Sequence, residues 1–447
     1  MTSSAKQLFE TSVDQVRRGQ LRAALGTLLQ TLAADPVHAG ALEAAGRLCR
    51  LLGAAGDAAL FEAVAANPAD AQALYDLGFR LVDQGRPDVA APLLQRALGH
   101  NPADTAIRRE LAFARLQAGQ FTASLAALVP LEDNPDLSET ERLDVLLTLA
   151  EAALYAGDRE ACRLRLEHAE ELVPEDDQRE RLDALNGQLG RSARWTELAG
   201  LGLREWHHIQ HAGVILKVAG GYFEDGSWQG RYDVLDLRLD MLAFLAQRLI
   251  GLLETLELET RAVVPASPLA APLAWAIAER MGADFVEELS DVGDRPTLLV
   301  AASAAELAPL AQRLAIHSAD LRVFAVSLDW ERDAPVCPEV VGVMARRALL
   351  PWEARFAIDA GSSRTREIAA DERPVPVLGA ELLAAIEALP DDGGAARAEF
   401  EDLYRPLAAQ LVLGNERVHP ARRRFTALSP CGPAPVLWWT AHAREQS

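Results

Sequence analysis

Residues 71–104 have the sequence AQALYDLGFRLVDQGRPDVAAPLLQRALGHNPAD, and this stretch decides the fold of the N-terminal half. Its first part places apolar and small residues, including Leu77 and Gly78, at the spacing of one helix face. Gly85 marks a turn, and Pro102 ends a second periodic segment. The stretch therefore predicts two helices joined by a glycine turn.

The same frame recurs along the first 200 residues, with a glycine at each predicted turn. It fits five units, which span residues 5–38, 39–70, 71–104, 105–138 and 143–176. The second unit is two residues short, which predicts a trimmed second helix, and an insertion near residues 134–142 separates the last two units. The following ERLDALNGQLGRSARWTEL predicts the capping helix that a solenoid needs over its last face.

These units resemble the tetratricopeptide repeat (TPR), including its 34-residue period and its small eighth residue, where the paired helices approach closely. The resemblance implies a concave groove that binds a protein or peptide partner. Repeat geometry places the groove on the first helix of each unit. The residues expected to line it are Tyr75, Phe79, Arg108, Arg115 and Leu147.

Charge narrows the class of partner. The 447-residue chain carries a net charge of −21, which disfavours nucleic acid and anionic lipid as main partners. The N-terminal half has a single lysine, Lys6, so a lysine clamp on an acidic tail is not expected. A basic or apolar segment suits the array better. Docking of the array on its own C-terminal half, or on a second copy in a homo-oligomer, stays open.

Cysteine and histidine usage predicts no metal or cofactor. The four cysteines are far apart and form no CxxC pair, a pattern typical of reduced thiols in a cytoplasmic protein. His207 and His211 have a zinc-compatible spacing on a helix, but no further ligand completes a site. The opening MTSSAKQLFETSVDQ lacks the apolar core of a signal peptide. We expect a cytoplasmic protein without a membrane segment.

After about residue 203 the period stops and short β-branched runs alternate with amphipathic helices. This alternation predicts a mainly parallel α/β sheet covered on both faces. The expected helices span residues 241–260, 271–281 and 304–316, and the expected strands span 213–218, 232–237, 262–267, 297–302 and 321–329.

The order of these pieces resembles the type I phosphoribosyltransferases, and the orotate branch in particular. GVILKVAGGYFEDGSWQGRYDVLDLR is similar to the hood and first strand of that branch, and RAVVPASPLAAPLAWAIAERMG to its strand, pyrophosphate loop and helix. DRPTLLVAASAAELAPLAQRL corresponds to the strand and loop that hold phosphoribosyl pyrophosphate (PRPP). The resemblance covers roughly residues 205–332 and implies an α/β fold with a ligand site at the strand ends.

The residues that carry the family's chemistry are missing. The PRPP loop needs two acidic residues and a glycine-rich turn, but TLLV is followed here by AASAAE. The lysine expected in the hood is replaced near residues 225–227 by Asp-Gly-Ser. We therefore expect no catalytic residue in this domain. A repurposed small-molecule pocket would lie near Ser267, Leu269 and Ser303.

The sequence thus predicts three regions: a TPR solenoid over residues 1–200, an α/β domain over 201–350 and a C-terminal extension over 351–447. In the extension, VLGAELLAAIEAL and ARAEFEDLYRPLAAQLVLG are predicted helices. The apolar end containing Trp438 is a strand or a packed tail, with a partner-binding terminus as the alternative. The favoured function is a protein-interaction adaptor or accessory subunit. The alternatives are an enzyme acting on phosphoribosyl or nucleotide substrates and a metabolite sensor that uses the α/β pocket.

Overall fold

A computed structural model of the chain describes residues 5–172, 175–216, 231–316, 320–330, 334–358, 365–389 and 438–439. The chain divides into two compact units, residues 1–190 with 195–199 and residues 191–194 with 200–447. Each unit is built around its own hydrophobic cores.

The first unit is a helical-repeat solenoid of five helix pairs followed by one more helix. The first helices of the pairs are α1 (Ala5–Arg17), α3 (Ala39–Leu51), α5 (Ala71–Asp83), α7 (Thr105–Gln117) and α9 (Glu139–Tyr155). The second helices are α2 (Leu21–Ala34), α4 (Ala55–Ala66), α6 (Pro87–His100), α8 (Phe121–Leu128) and α10 (Arg159–Glu170). Helix α11 (Asp176–Ser192) lies where the capping helix is expected.

The turn inside each pair depends on a glycine in the left-handed conformation. The five glycines at this repeat position, all with positive φ between 70° and 93°, are Gly19, Gly53, Gly85, Gly119 and Gly157. A side chain at this conformation costs about 1–2 kcal/mol, which explains the glycine that recurs in the sequence. As the shorter second unit predicts, α4 has 12 residues whereas α2 and α6 have 14.

Small residues let the paired helices approach. A Cβ atom built on Gly78 of α5 would lie 2.7 Å from Cγ of Leu94 on α6, closer than real Cβ contacts. Leu94 is fully buried in the solenoid core. The prediction of a small residue at the eighth position therefore has a direct steric cause here.

The second unit contains a parallel sheet. Its strands are β1 (Val214–Ile215), β2 (Arg231–Asp236), β3 (Ala262–Pro265), β4 (Asp284–Phe285), β5 (Thr297–Ser303), β6 (Leu321–Leu328), β7 (Val340–Leu349) and β10 (Trp438–Trp439). The order is β10-β2-β7-β6-β5-β3-β4. Strand β1 pairs with the beginning of β7, before the part of β7 that pairs with β2. All pairings in this sheet are parallel, with Val264 opposite Leu299 and Val300 opposite Phe324.

Helices and short turns cover both faces of the sheet. The helices of this unit are α12 (Leu203–His211), α13 (Leu239–Thr255), α14 (Ala271–Met281), α15 (Ala311–Ile316) and α16 (Val375–Ala388). One core packs α13, α14 and α16 against the sheet, and a second core lies under residues 289–314. Strands β8 (Arg355–Ile358) and β9 (Thr365–Ile368) form a separate antiparallel hairpin.

Three expectations for this unit need correction. Strand β7 was not expected, although it pairs with both β2 and β6. The segment 304–316 is not one helix: a 3₁₀ turn spans Ala304–Leu310 and contains Pro309, which has no N–H to donate, and α15 follows it. Helix α13 ends at Thr255 instead of residue 260, just before Glu257, which has a φ of 55°.

In the C-terminal extension, α16 and the strand at Trp438 are confirmed. The second expected helix, ARAEFEDLYRPLAAQLVLG, and the Asp-Gly-Ser segment of the hood lie outside the described residues. Within the described part of the chain, no helix is long and apolar enough to cross a membrane.

Candidate functional site

The first helices of successive repeats enclose a cavity of about 380 Å³ in the solenoid. Its lining residues come from five helices and include Tyr75 of α5, Arg109, Glu110 and Phe113 of α7, Leu128 of α8, Asp144 of α9 and Arg181 of α11. The first helices of stacked repeats lie side by side, so residues at the same position in successive repeats lie on the same surface. The cavity therefore lies on the surface where repeat geometry predicts the groove.

Exposed aromatic rings give this surface its apolar character. Phe79 and Phe113 are 44% and 37% exposed, which is unusual for phenylalanine. The two occupy the same position in successive repeats, as the ninth residue of each unit. The ring of Tyr75 lies one helical turn before Phe79, with a centroid separation of 6.0 Å. These three rings, on two adjacent first helices, form an aromatic row in which Phe79 and Phe113 are exposed and Tyr75 is partly buried.

Most charged groups of the cavity already have partners. Arg109 donates to Glu141 at 2.8 Å, and Arg181 donates to Glu151 at 2.7 Å. Asp144 accepts a hydrogen bond from the side chain of Gln178 at 2.9 Å. Both arginines of the cavity wall are therefore paired with glutamates of α9.

Glu110 differs from these groups. No hydrogen bond or ion pair reaches its carboxylate from any described residue. The pKa of Glu110 is raised to about 7, because burial and the charge of Asp83 raise it more than Arg109 lowers it. Burial also raises the pKa of Tyr75, and the negative charge of Glu110 adds to that effect. The cavity thus holds a partly buried carboxylate beside an aromatic ring.

The five groove residues expected from the repeat have different surroundings. Tyr75 lines the cavity, and Phe79 is exposed beside it. Arg108 donates to the carbonyl of Pro102 in its own loop at 2.9 Å. Arg115 donates to Gln95 on α6 and to the carbonyl of Ala123 on α8, so it contacts two second helices. Sequence spacing on the first helices could have identified Phe113, but the isolation of Glu110 has no local signal.

Leu147 is fully buried and does not line the cavity. On α9 it lies between Asp144 and Glu151, and both of these residues bond to side chains of α11. Residues spaced by three and four share one helix face. Helix α11 therefore covers the face of α9 on which repeat geometry had placed Leu147 in the groove.

A second cavity, of about 530 Å³, lies at the carboxyl ends of β3 and β4 and beside Leu299 in the middle of β5. Ser267, Trp275, Phe285, Glu288 and Arg313 are among its lining residues. The chain runs outward from β3 to β4 and returns to β5 on the other side of β3, so the strand order reverses at this edge. Open parallel sheets commonly bind ligands at such a reversal.

Of the three expected pocket residues, Ser267 lines this cavity, and Leu269 and Ser303 do not. The carbonyl of Leu269 accepts a hydrogen bond from Nε1 of Trp352 at 2.8 Å, and Oγ of Ser303 accepts one from the N–H of Ala305 at 3.0 Å. Glu306 accepts a hydrogen bond from the N–H of Ala302 at 3.0 Å. Burial raises the pKa of Glu306, and that hydrogen bond opposes the rise.

The histidine pair lies on α12 as expected, with 5.2 Å between the ring centroids of His207 and His211. Both side chains are buried, and burial lowers the pKa of His207 to about 3. Among the described residues, no group of three or more His, Cys, Asp or Glu could hold a metal ion.

Comparison with known proteins identifies the repeat. Residues 81–139 match the family model of the tetratricopeptide repeat, so the N-terminal half contains TPR repeats. No curated protein matches the chain.

Several solved structures are similar to part of the chain. One is YrrB, described as a TPR protein with an unusual peptide-binding site, with 22% identity over 40% of this chain and 90% of that one and a TM-score of 0.27. PilF of Pseudomonas aeruginosa has 18% identity over 42% and 84%, with a TM-score of 0.26. MamA of Desulfovibrio magneticus has 20% identity over 38% and 94%, with a TM-score of 0.24.

Proposed function

We propose that the TPR array binds an extended segment of a partner protein in its groove, so that the chain acts as an adaptor or accessory subunit. One observation carries the proposal: the aromatic row of Tyr75 and the exposed Phe79 and Phe113 on adjacent first helices, next to a cavity of about 380 Å³. Exposed apolar rings grouped in a concave surface are typical of interaction sites.

Charge supports a basic or apolar partner segment. The chain has a net charge of −21, and both arginines of the cavity wall are engaged by glutamates. An acidic partner would meet like charge without a free cation to receive it. Nucleic acid is disfavoured for the same reason.

A peptide selection tests this function. The full chain would be screened against a phage library of random 12-residue peptides, and the affinity of enriched peptides measured by fluorescence anisotropy. We expect the double variant Phe79→Ala, Phe113→Ala to bind them at least about tenfold more weakly. Leu164→Ala is the matched control, because Leu164 is equally exposed, at 44%, but lies on a second helix. An equal loss of affinity in both variants, or no loss in either, would refute binding in the groove.

We further propose that the α/β domain is a non-catalytic relative of the phosphoribosyltransferases. The loop after β5 supports this proposal, because Ser303 and Glu306 bond to the backbone of their own loop. No acidic pair follows Val300 to hold ribose hydroxyls.

The cavity at β3, β4 and β5 supports a second candidate function, in which the α/β domain binds a metabolite and the chain acts as a sensor. Calorimetric titration of the full chain with PRPP, with and without magnesium, tests whether the domain has kept the PRPP site that an enzyme of this family needs. We expect no heat of binding. A dissociation constant tighter than about 100 μM, or roughly −5.5 kcal/mol, would contradict a lost PRPP site.

A further inference from the structure

Glu110 is the one charged group lining the groove cavity that has no partner among the described residues. Arg109, Asp144 and Arg181 line the same wall, and each is bonded to a side chain of another helix. Glu110 lies on α7 between Arg109, which turns to Glu141, and the open ring of Phe113 three residues later. The structure therefore keeps one carboxylate of this cavity unpaired.

An unpaired carboxylate in partly apolar surroundings is costly for the isolated protein. The raised pKa of Glu110 reflects this cost, since burial is its largest cause and Asp83 of α5 adds to it. A cation brought by a ligand would remove the cost by pairing with the carboxylate. Selection of a cation at this position thus follows from the protein's own charge arrangement.

The aromatic rings beside Glu110 fit the rest of a long basic side chain. Tyr75 and Phe113 line the same cavity as Glu110, and Phe113 is 37% exposed. Lysine and arginine have apolar stems that pack on apolar surfaces while their charged ends stay polar. Aromatic faces also attract the cation directly.

We propose that the cavity formed by Tyr75, Glu110 and Phe113 holds a lysine or arginine side chain of the partner segment. Its stem packs against the two rings, and its charge pairs with the Glu110 carboxylate. This inference rests on the groove function proposed above and names the residue type that the groove selects. An aliphatic side chain would leave the carboxylate unpaired, and an acidic one would repel it.

The test is a double-mutant cycle with the peptides enriched on the full chain. We expect those peptides to share a lysine or arginine, and Glu110→Gln to weaken their binding about tenfold, the loss typical of a charge-assisted hydrogen bond. Peptides in which norleucine replaces lysine, or citrulline replaces arginine, should lose the same factor. Glu110→Gln should not weaken these neutral peptides further. Glu10→Gln is the matched control, since Glu10 has the same helical position in the first repeat and does not line the cavity.

The outcomes separate this inference from the groove function. If Phe79→Ala, Phe113→Ala abolishes binding while Glu110→Gln changes it less than about twofold, the groove binds a partner but the basic anchor is wrong. Enriched peptides without any basic residue would overturn the anchor in the same way. If neither the aromatic variant nor Glu110→Gln weakens binding, the groove function itself fails.

Discussion

Single residues of the groove differ mainly in whether the fold supplies their partner. Arg109 and Arg181 are each paired with a glutamate from another helix, Glu141 and Glu151. Glu110, on the same wall, receives no such partner from the described residues. This contrast supports the proposed binding position at Glu110, which counting charges along the sequence does not reveal.

The isolated Glu110 carboxylate should make folding depend on pH. Its folded pKa of about 7 lies above the ordinary value of 4.5, so the folded state binds more protons between these values. The charged groups that face it are Asp83 of α5 and Arg109 of α7, and Asp144 and Arg181 line the same cavity. The contribution of Glu110 to the free energy of unfolding is therefore retained at low pH and falls as pH rises through 7.

We predict that Glu110→Gln increases the free energy of unfolding at pH 8 by about 1–2 kcal/mol, a value reduced from the full pKa shift for solvent screening. The gain should shrink as the pH is lowered to 5.5, where the native carboxyl is protonated. Urea denaturation of both proteins at the two pH values measures this. A gain of the same size at both pH values would show that charge is not its cause.

The position of a side chain could be predicted from the sequence where it depends only on the helix that carries it. Tyr75 and Phe79 lie on a first helix, as repeat spacing requires, because a helix fixes its own side-chain directions. Leu147 obeys the same spacing but is buried, since α11 bonds to Asp144 and Glu151 on either side of it. The isolation of Glu110 depends on Arg109 reaching a residue 32 positions away.

At the scale of elements, close packing of helix pairs explains the small residue of each repeat. In α5 and α6, Gly78 and Leu94 leave no room for an additional carbon atom. Gly26 offers a matched comparison, because it also lies inside a helix but has no heavy atom within 4 Å of its built Cβ.

Gly78→Val should lower the free energy of unfolding by about 1–3 kcal/mol, because the added side chain must displace the buried Leu94. Gly26→Val should change it by less than about 0.5 kcal/mol. Thermal or urea unfolding of the two variants measures the difference. Equal effects would mean that helix propensity, and not the approach of the two helices, sets the requirement for glycine.

Elements were predictable where their signal is periodic and local. The helix pairs follow from repeated spacing, and β5 and β6 follow from continuous apolar runs. Strand β7 was missed because it contains Gly342 and the adjacent Arg346 and Arg347, which break its apolar pattern. Its place is set by distant partners: Arg346 pairs with Asp233 of β2 at 3.0 Å, and a Cβ on Gly342 would lie 2.6 Å from the carbonyl oxygen of Val326.

At the scale of the whole molecule, the chain divides near residues 190–200 into a repeat unit and an α/β unit. The segment after α11 is not helical, and Ala199, Gly200 and Gly202 are exposed within it. Trp195 and Thr196 accept hydrogen bonds through their carbonyls from Arg159 of the solenoid. These bonds hold the beginning of the segment in place and protect it from proteolysis.

We predict that limited digestion of the full chain with subtilisin cuts between residues 196 and 202 and leaves a stable N-terminal fragment. The exposed, non-helical backbone there meets the requirement of the protease. Mass spectrometry of the products gives the position of the cut. Simultaneous loss of both halves, without a persistent fragment, would argue that the two units do not fold independently.

A partner segment bound in the proposed groove would lie beside the aromatic row and within reach of a probe placed there. Photocrosslinking tests this placement most directly: p-benzoylphenylalanine would be placed at Phe113 or, as a control, at Leu164 of the full chain, and each protein irradiated with a labelled peptide enriched on the wild type. Both positions are exposed, but they lie on a first and a second helix respectively. We predict a crosslinked product from position 113 and none from position 164. Crosslinking from position 164 alone, or equally from both positions, would contradict binding in the groove.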